Sequence, residues 1–238
     1  MKLIGLISHN SSDDTLVDVY KIFPEGIRIE ARTLHVSQYT DDEFQRAEQT
    51  FVSLVRDLAR QPLDFLMVTG ELFLSYKGPG SDRAILKLVK QITPTAASTV
   101  LTAVTRGCQT LGLKRVVMAS PFPEDQDQRL VKFLAHDGIE VVAWRGLGCP
   151  NAQVIWELPP ESGYELSMAL LREHPDVDGV YMPCNKWRTA SVIERIEKDS
   201  GKPVVTNTQA WTWEALRALG MGDAILGYGR LLGRGNQT

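Results

Sequence analysis

The chain has 238 residues, with 26 Lys and Arg against 29 Asp and Glu, a net charge of −3. Hydrophobic residues at 43% and charged residues at 23% describe a globular protein with room for one large domain or two small ones, not a disordered chain. The slight negative balance leaves no electrostatic footprint for nucleic acid, and no apolar run approaches the roughly 18 residues of a membrane span.

Residues 3–8 open the chain as a short apolar run that soon turns polar and acidic. A secretory signal needs a longer apolar core and a small-residue cleavage site, so this start reads as a buried strand and the protein as cytoplasmic. A second strand is expected at 28–34. Phe44, Ala47, Phe51, Leu54, Val55 and Leu58 then recur at helical spacing. Strands at 64–69 and 94–97 follow, with Ser98 a candidate helix N-cap. Cys108 shares a helical stripe with Leu101, Val104 and Leu111, which makes it a core residue. Further strands are expected at 115–120, 139–143, 179–183 and 203–207. Helical stripes lie between them at Leu166, Ala169 and Leu170 and at Val192, Ile193 and Ile196. Asn207 and Thr208 are the N-cap candidates after the last strand. Several strands are apolar on both faces, the mark of parallel strands covered on both sides. The alternation gives an α/β fold.

The chain also repeats itself. The strand ending at Ser8 aligns with the one ending at Ser120, an offset of 112; Asp64 to Gly70 aligns with Asp178 to Cys184, an offset of 114; Pro94 aligns with Pro203, an offset of 109. Three matches in order at nearly one offset indicate a duplicated unit. The expected architecture is two pseudosymmetric Rossmann-like lobes, each a parallel sheet flanked by helices, with the active site in the cleft between them. Residues 1–112 form the first lobe and 113–207 the second, with 208–238 returning to the first. Open parallel sheets bind ligands beyond the carboxyl ends of their strands. The segments to search are therefore Ser8, His9 and Asn10; Gly70, Glu71 and Leu72; Ser120 to Phe122; and Cys184, Asn185 and Lys186.

Three widely spaced cysteines, Cys108, Cys149 and Cys184, fit neither a disulfide framework nor a zinc site. Cys184 stands where a strand should end and a helix begin, where free backbone N–H groups suit a thiolate or an oxyanion. A buried, inert cysteine is the commoner alternative. The repeat sets Gly70 opposite it. Two such turns can hold one carboxylate between them while the thiol exchanges a proton with the adjacent carbon. Cys149 follows Gly148 in a loop and is at best a contact. Gly227, Gly229 and Gly233 superficially suit a dinucleotide fingerprint, but no further strand follows them.

With these residues in place the chain resembles the aspartate/glutamate racemase superfamily, in the branch of arylmalonate decarboxylase and maleate isomerase. The runs that carry the resemblance are Met67 to Gly78, Pro94 to Gly112, Lys114 to Leu130, Tyr181 to Cys184 and Gly227 to Leu232. It implies two pseudosymmetric α/β lobes and catalysis without metal or nucleotide. Racemases and maleate isomerase carry a cysteine on each lobe, whereas arylmalonate decarboxylase keeps only the second and has glycine at the first. Gly70 with Cys184 is the decarboxylase pattern.

The implied reaction is decarboxylation of a substituted malonate through an enediolate that Cys184 protonates. Backbone N–H groups near Glu71, Leu72, Asn185 and Lys186 would hold its oxygens. The alternatives are a racemase or cis–trans isomerase and a carboxylate-binding protein without chemistry. The sequence departs from the decarboxylase at Glu71 and Leu72, where hydroxyl residues are expected, at Phe122 in place of an aromatic hydroxyl, and at Lys186 in place of a small residue. Glu71 is expected to pair with Lys186 across the cleft, with a second acid/base role as the other reading. His9 is read either as a substrate contact or as a solvated turn residue, and Ser8 and Asn10 as caps of the first helix or carboxylate contacts. The partner is a small carboxylate; monomer and homo-oligomer both stay open.

Overall fold

The computed structural model describes residues 1–9 and 12–235. In chain order its elements are β1 (Lys2–Ser8), α1 (Ser12–Ile22), β2 (Ile27–Thr33), α2 (Asp41–Leu58), β3 (Phe65–Val68), α3 (Glu71–Ser75), α4 (Ser81–Ile92), β4 (Ala97–Thr99) and α5 (Val100–Leu111). There follow β5 (Arg115–Ser120), α6 (Glu124–His136), β6 (Glu140–Gly146), α7 (Ala152–Glu157), α8 (Pro160–Glu173) and β7 (Gly179–Met182). A 3-10 turn (Ala190–Val192), α9 (Ile193–Ser200), β8 (Val204–Thr206), α10 (Asn207–Ala218) and α11 (Arg230–Gly233) complete it.

The strands make two four-stranded sheets, in the orders β2-β1-β3-β4 and β6-β5-β7-β8, with every pairing parallel. Replacing each strand by the one four later converts the first order into the second. This is the expected duplicated α/β fold. In each sheet the direction of strand addition reverses between β1 and β3, or β5 and β7, and the open crevice of such a sheet lies at that point. The central strands are fully buried: Ile4, Leu6, Ile7, Leu66 to Val68, Val116 to Ala119 and Val180 to Met182 have no accessible surface. Each large apolar side chain so buried contributes about 1.5–3 kcal/mol. Cys108 lies in this core on α5, as its helical stripe implied.

The third repeat match is out of register. β4 begins at Ala97, not at Pro94, because proline has no N–H to give a ladder. The equivalent residues are Thr99 and Thr206, an offset of 107. The caps move with them. Thr99 accepts from Thr102 N–H and caps α5, in place of Ser98. Thr206 caps α10 in a reciprocal box with Gln209, while Asn207 and Thr208 are already helical. An N-cap needs extended backbone, which Thr206 has at φ −116°, ψ 159°.

Contacts from both halves of the chain tie the two sheets together. Helix α10 follows β8 yet packs on α5, α1 and β3. The Gln126 side-chain amide on α6 donates to the Tyr39 carbonyl at 3.2 Å, and Arg129 reaches Asp41 at 2.6 Å. Among the described residues no helix is long and apolar enough to cross a membrane.

Candidate active site

The carboxyl ends of β3 and β7 deliver the two central turns. Two residues beyond each strand, Gly70 and Cys184 both adopt left-handed backbone, with φ of +99° and +82°. Glycine does so freely, whereas a residue with a Cβ pays roughly 1–2 kcal/mol. A Cβ on Gly70 would stand 2.9 Å from His9 Cβ, so a side chain on the first turn requires His9 to shift. Strain at Cys184, on the equivalent turn, is held in place by tight surroundings, since Cys184 is only 2% exposed.

The backbone N–H groups of Lys186 and Trp187 point at the Cys184 sulfur and favour its thiolate, with a smaller contribution from the Lys186 charge. Burial, reinforced by nearby Glu71, outweighs them and pushes the thiol well above its ordinary range. Cys184 is therefore a protonated acid with two N–H donors waiting for the anion it would become. Trp187 is buried beneath this turn and donates its ring N–H to Ser162 Oγ at 3.1 Å.

Glu71 faces Cys184. Its carboxyl is 1% exposed, and burial raises it to about 7 against the opposing pull of its own backbone N–H, the Asn207 side chain and Cys184 N–H. Neither oxygen completes a hydrogen bond. The expected Glu71–Lys186 pair is not formed: desolvation dominates Glu71, and Lys186 is absent from the groups that set its ionisation. Lys186, 5% exposed, instead acts electrostatically on Cys184 and His9.

His9 is no solvated turn residue. It is 4% exposed, and burial followed by the Lys186 charge lowers it to about 4, so the imidazole is neutral. Ser8 is fully buried and ends β1 in register with Thr33, four residues before α1, so it does not cap that helix. Asn10 lies outside the described residues. Asn185 is buried, and its side-chain oxygen meets Thr208 Oγ1 at 3.3 Å. Leu72 is a core side chain whose carbonyl accepts Tyr76 N–H at 3.0 Å. Phe122 packs edge-on against Tyr39 at 5.6 Å. Its N–H is taken by Ser120 Oγ at 3.0 Å, which donates to buried Asp127 at 2.5 Å.

Three participants escaped the sequence reading. Tyr39, in the loop after β2, buries its hydroxyl without a hydrogen-bond partner, near enough to Cys184, Glu71 and Cys149 to feel their charges. Tyr181 and Asn207 form a buried hydrogen bond at 2.8 Å. Extending the search to the loop after β2, the neighbour of β1, would have reached Tyr39. Nothing in the local sequence marks the other two. Cys149 does approach the site, through Tyr39, with its N–H on the Pro121 carbonyl at 2.9 Å.

One central thiol faces a glycine turn across two matched sheets, and comparison with known proteins gives that arrangement its family. The arylmalonate decarboxylase family profile matches residues 4–232. The chain belongs to that family. It is 27% identical over 229 residues to arylmalonate decarboxylase of Bordetella bronchiseptica, covering 96% of this chain and 95% of that one. It is 24% identical to a maleate isomerase of Pseudomonas putida, covering 94% of each. The solved structure of unliganded arylmalonate decarboxylase superimposes with a TM-score of 0.85 at 26% identity, over 98% of this chain and 99% of that one. Family members thus include a lyase and resemble isomerases, and the fold they share is the duplicated one described above.

Proposed function

We propose that this protein is a cofactor-independent carboxy-lyase that decarboxylates a substituted malonate, with Cys184 as its single proton donor. The observation that carries the reading is the pairing of equivalent turns: a buried, protonated thiol on one and, on the other, a glycine that bears no thiol and is closely covered by His9. The C–C bond to one carboxylate breaks, CO2 leaves, and the electron pair stays on the α-carbon as an enediolate. Cys184 transfers its proton to that carbon. The thiolate then rests on the Lys186 and Trp187 N–H groups until water returns the proton. On this reading neutral His9, the Asn185 amide and the backbone around Glu71 and Leu72 would hold the carboxylate, with Ser8, Lys186 and Phe122 as further candidate contacts.

A second reading rests on Glu71. A carboxyl raised to about 7 and facing Cys184 could serve as an acid/base on the opposite face, as a racemase or isomerase requires. Incubation with phenylmalonate, alkylmalonates and maleate, following CO2 release and fumarate formation, separates the readings. The first expects CO2, one enantiomer from a prochiral malonate and no loss of optical purity in D2O. Rapid exchange of the product α-proton in D2O, without CO2 release from any malonate, would establish the second.

A further inference from the structure

The Glu71 carboxyl stands among groups suited to another carboxylate. It follows Gly70 and folds inward, where its own N–H, Cys184 N–H and the Asn207 side chain face it. The Asn207 amide is oriented by Tyr181, whose hydroxyl donates to Oδ1 at 2.8 Å and leaves Nδ2 without a partner. The nearby Asn185 amide repeats the pattern, with Oδ1 held by Thr208 and Nδ2 unpartnered. Both Glu71 oxygens are equally unsatisfied although the residue is 1% exposed. Buried polar atoms are nearly always hydrogen-bonded. The Glu71 carboxyl is drawn toward its own N–H, Cys184 N–H and the Asn207 amide without closing a well-formed hydrogen bond to any of them, which describes a carboxyl site whose resident fits it poorly.

We propose that Glu71 is an internal stand-in for the substrate carboxylate, competing with it for Asn207 Nδ2 and Cys184 N–H and so determining which acids the site admits. A ligand carboxylate that completes those hydrogen bonds displaces the Glu71 side chain. One that cannot reach them leaves Glu71 in place and binds poorly. Glu71 is then a specificity residue and not a second acid/base. The inference rests on the reading of this site as one that handles a carboxylate, but it needs no turnover.

The test is calorimetric titration of the full-length protein with phenylacetate, using neutral phenylacetamide as control. Glu71→Ala and Glu71→Thr should each bind phenylacetate about tenfold tighter than wild type or better, the scale of one charged hydrogen bond. Phenylacetamide should change little. In wild type carrying 13C-labelled glutamate, the Glu71 carboxyl signal should move as phenylacetate saturates the site, which tests displacement without any substitution. Unchanged, weaker or undetectable phenylacetate binding by the folded variants, or an unmoved Glu71 signal at saturation, overturns the proposal. Tighter binding by the variants, together with a wild type that releases no CO2 from any malonate, keeps this inference and counts against the lyase reading. CO2 release by the wild type without tighter binding by the variants does the reverse.

Discussion

Tyr181 donates its hydroxyl proton to Asn207 Oδ1 at 2.8 Å, and this one bond decides which end of the amide faces Glu71. Both residues are fully buried, so neither has water as a substitute partner. Tyr181→Phe leaves the Asn207 oxygen unpaired and the amide free to turn. It should cost about 1–3 kcal/mol of stability and weaken carboxylate binding. Denaturant midpoints and phenylacetate titration check both effects; a variant as stable as wild type would show that the bond does not matter.

The left-handed backbone at Cys184 separates stability from chemistry. Cys184→Gly and Cys184→Ala both remove the acid, and each should lower turnover about 10²–10⁴-fold. At φ +82° the glycine variant should nonetheless be the more stable of the two, by about 1–2 kcal/mol. Paired thermal melts and CO2-release rates give the comparison. An alanine variant that turns over at the wild-type rate ends the proposed role of the thiol.

Glu71 should make stability fall as pH rises. Its native value of about 7 lies above the ordinary 4.5, so between those pH values the folded state holds more protons than the unfolded one. The stability lost across that window is roughly 3 kcal/mol. Asp127, also raised to about 7, acts in the same direction, while His9, lowered to about 4, makes stability rise with pH between about 4 and its ordinary 6.5. Tyr39, Tyr181 and Cys184 face Glu71 and titrate far higher. The melting difference between Glu71→Gln and wild type isolates Glu71. It should move in favour of the variant from pH 4.5 to 7 and then level off; a constant difference would place the carboxyl in water.

Gly70 and His9 should be coupled. Gly70→Ala meets both a left-handed φ of +99° and His9 Cβ at 2.9 Å, and should cost about 2 kcal/mol or more. His9→Ala removes the ring but keeps the nearest atom, so the double variant should recover only part of that loss. Simple additivity of the two single changes in urea unfolding would mean that the contact carries no energy.

The α/β class, the duplicated order of strands and the turns opposite one another were legible in the sequence, because they rest on local facts. Strands apolar on both faces have to be covered on both sides, and a repeated pattern near residues 8, 70, 120 and 184 has to fold twice in the same way. Gly70 and Cys184 could be matched for the same reason. Tertiary structure alone decided the rest. The Glu71–Lys186 pair looked favourable from charge alone, yet the Glu71 carboxyl turns toward Cys184 and Asn207. Tyr39 joins the site from a loop that no spacing rule connects to residue 184, and Tyr181 and Asn207 meet from separate elements, β7 and α10. Ionisation in this protein is governed by burial, with desolvation the largest influence on His9, Glu71 and Cys184 alike, and burial exists only once the two sheets have closed on each other.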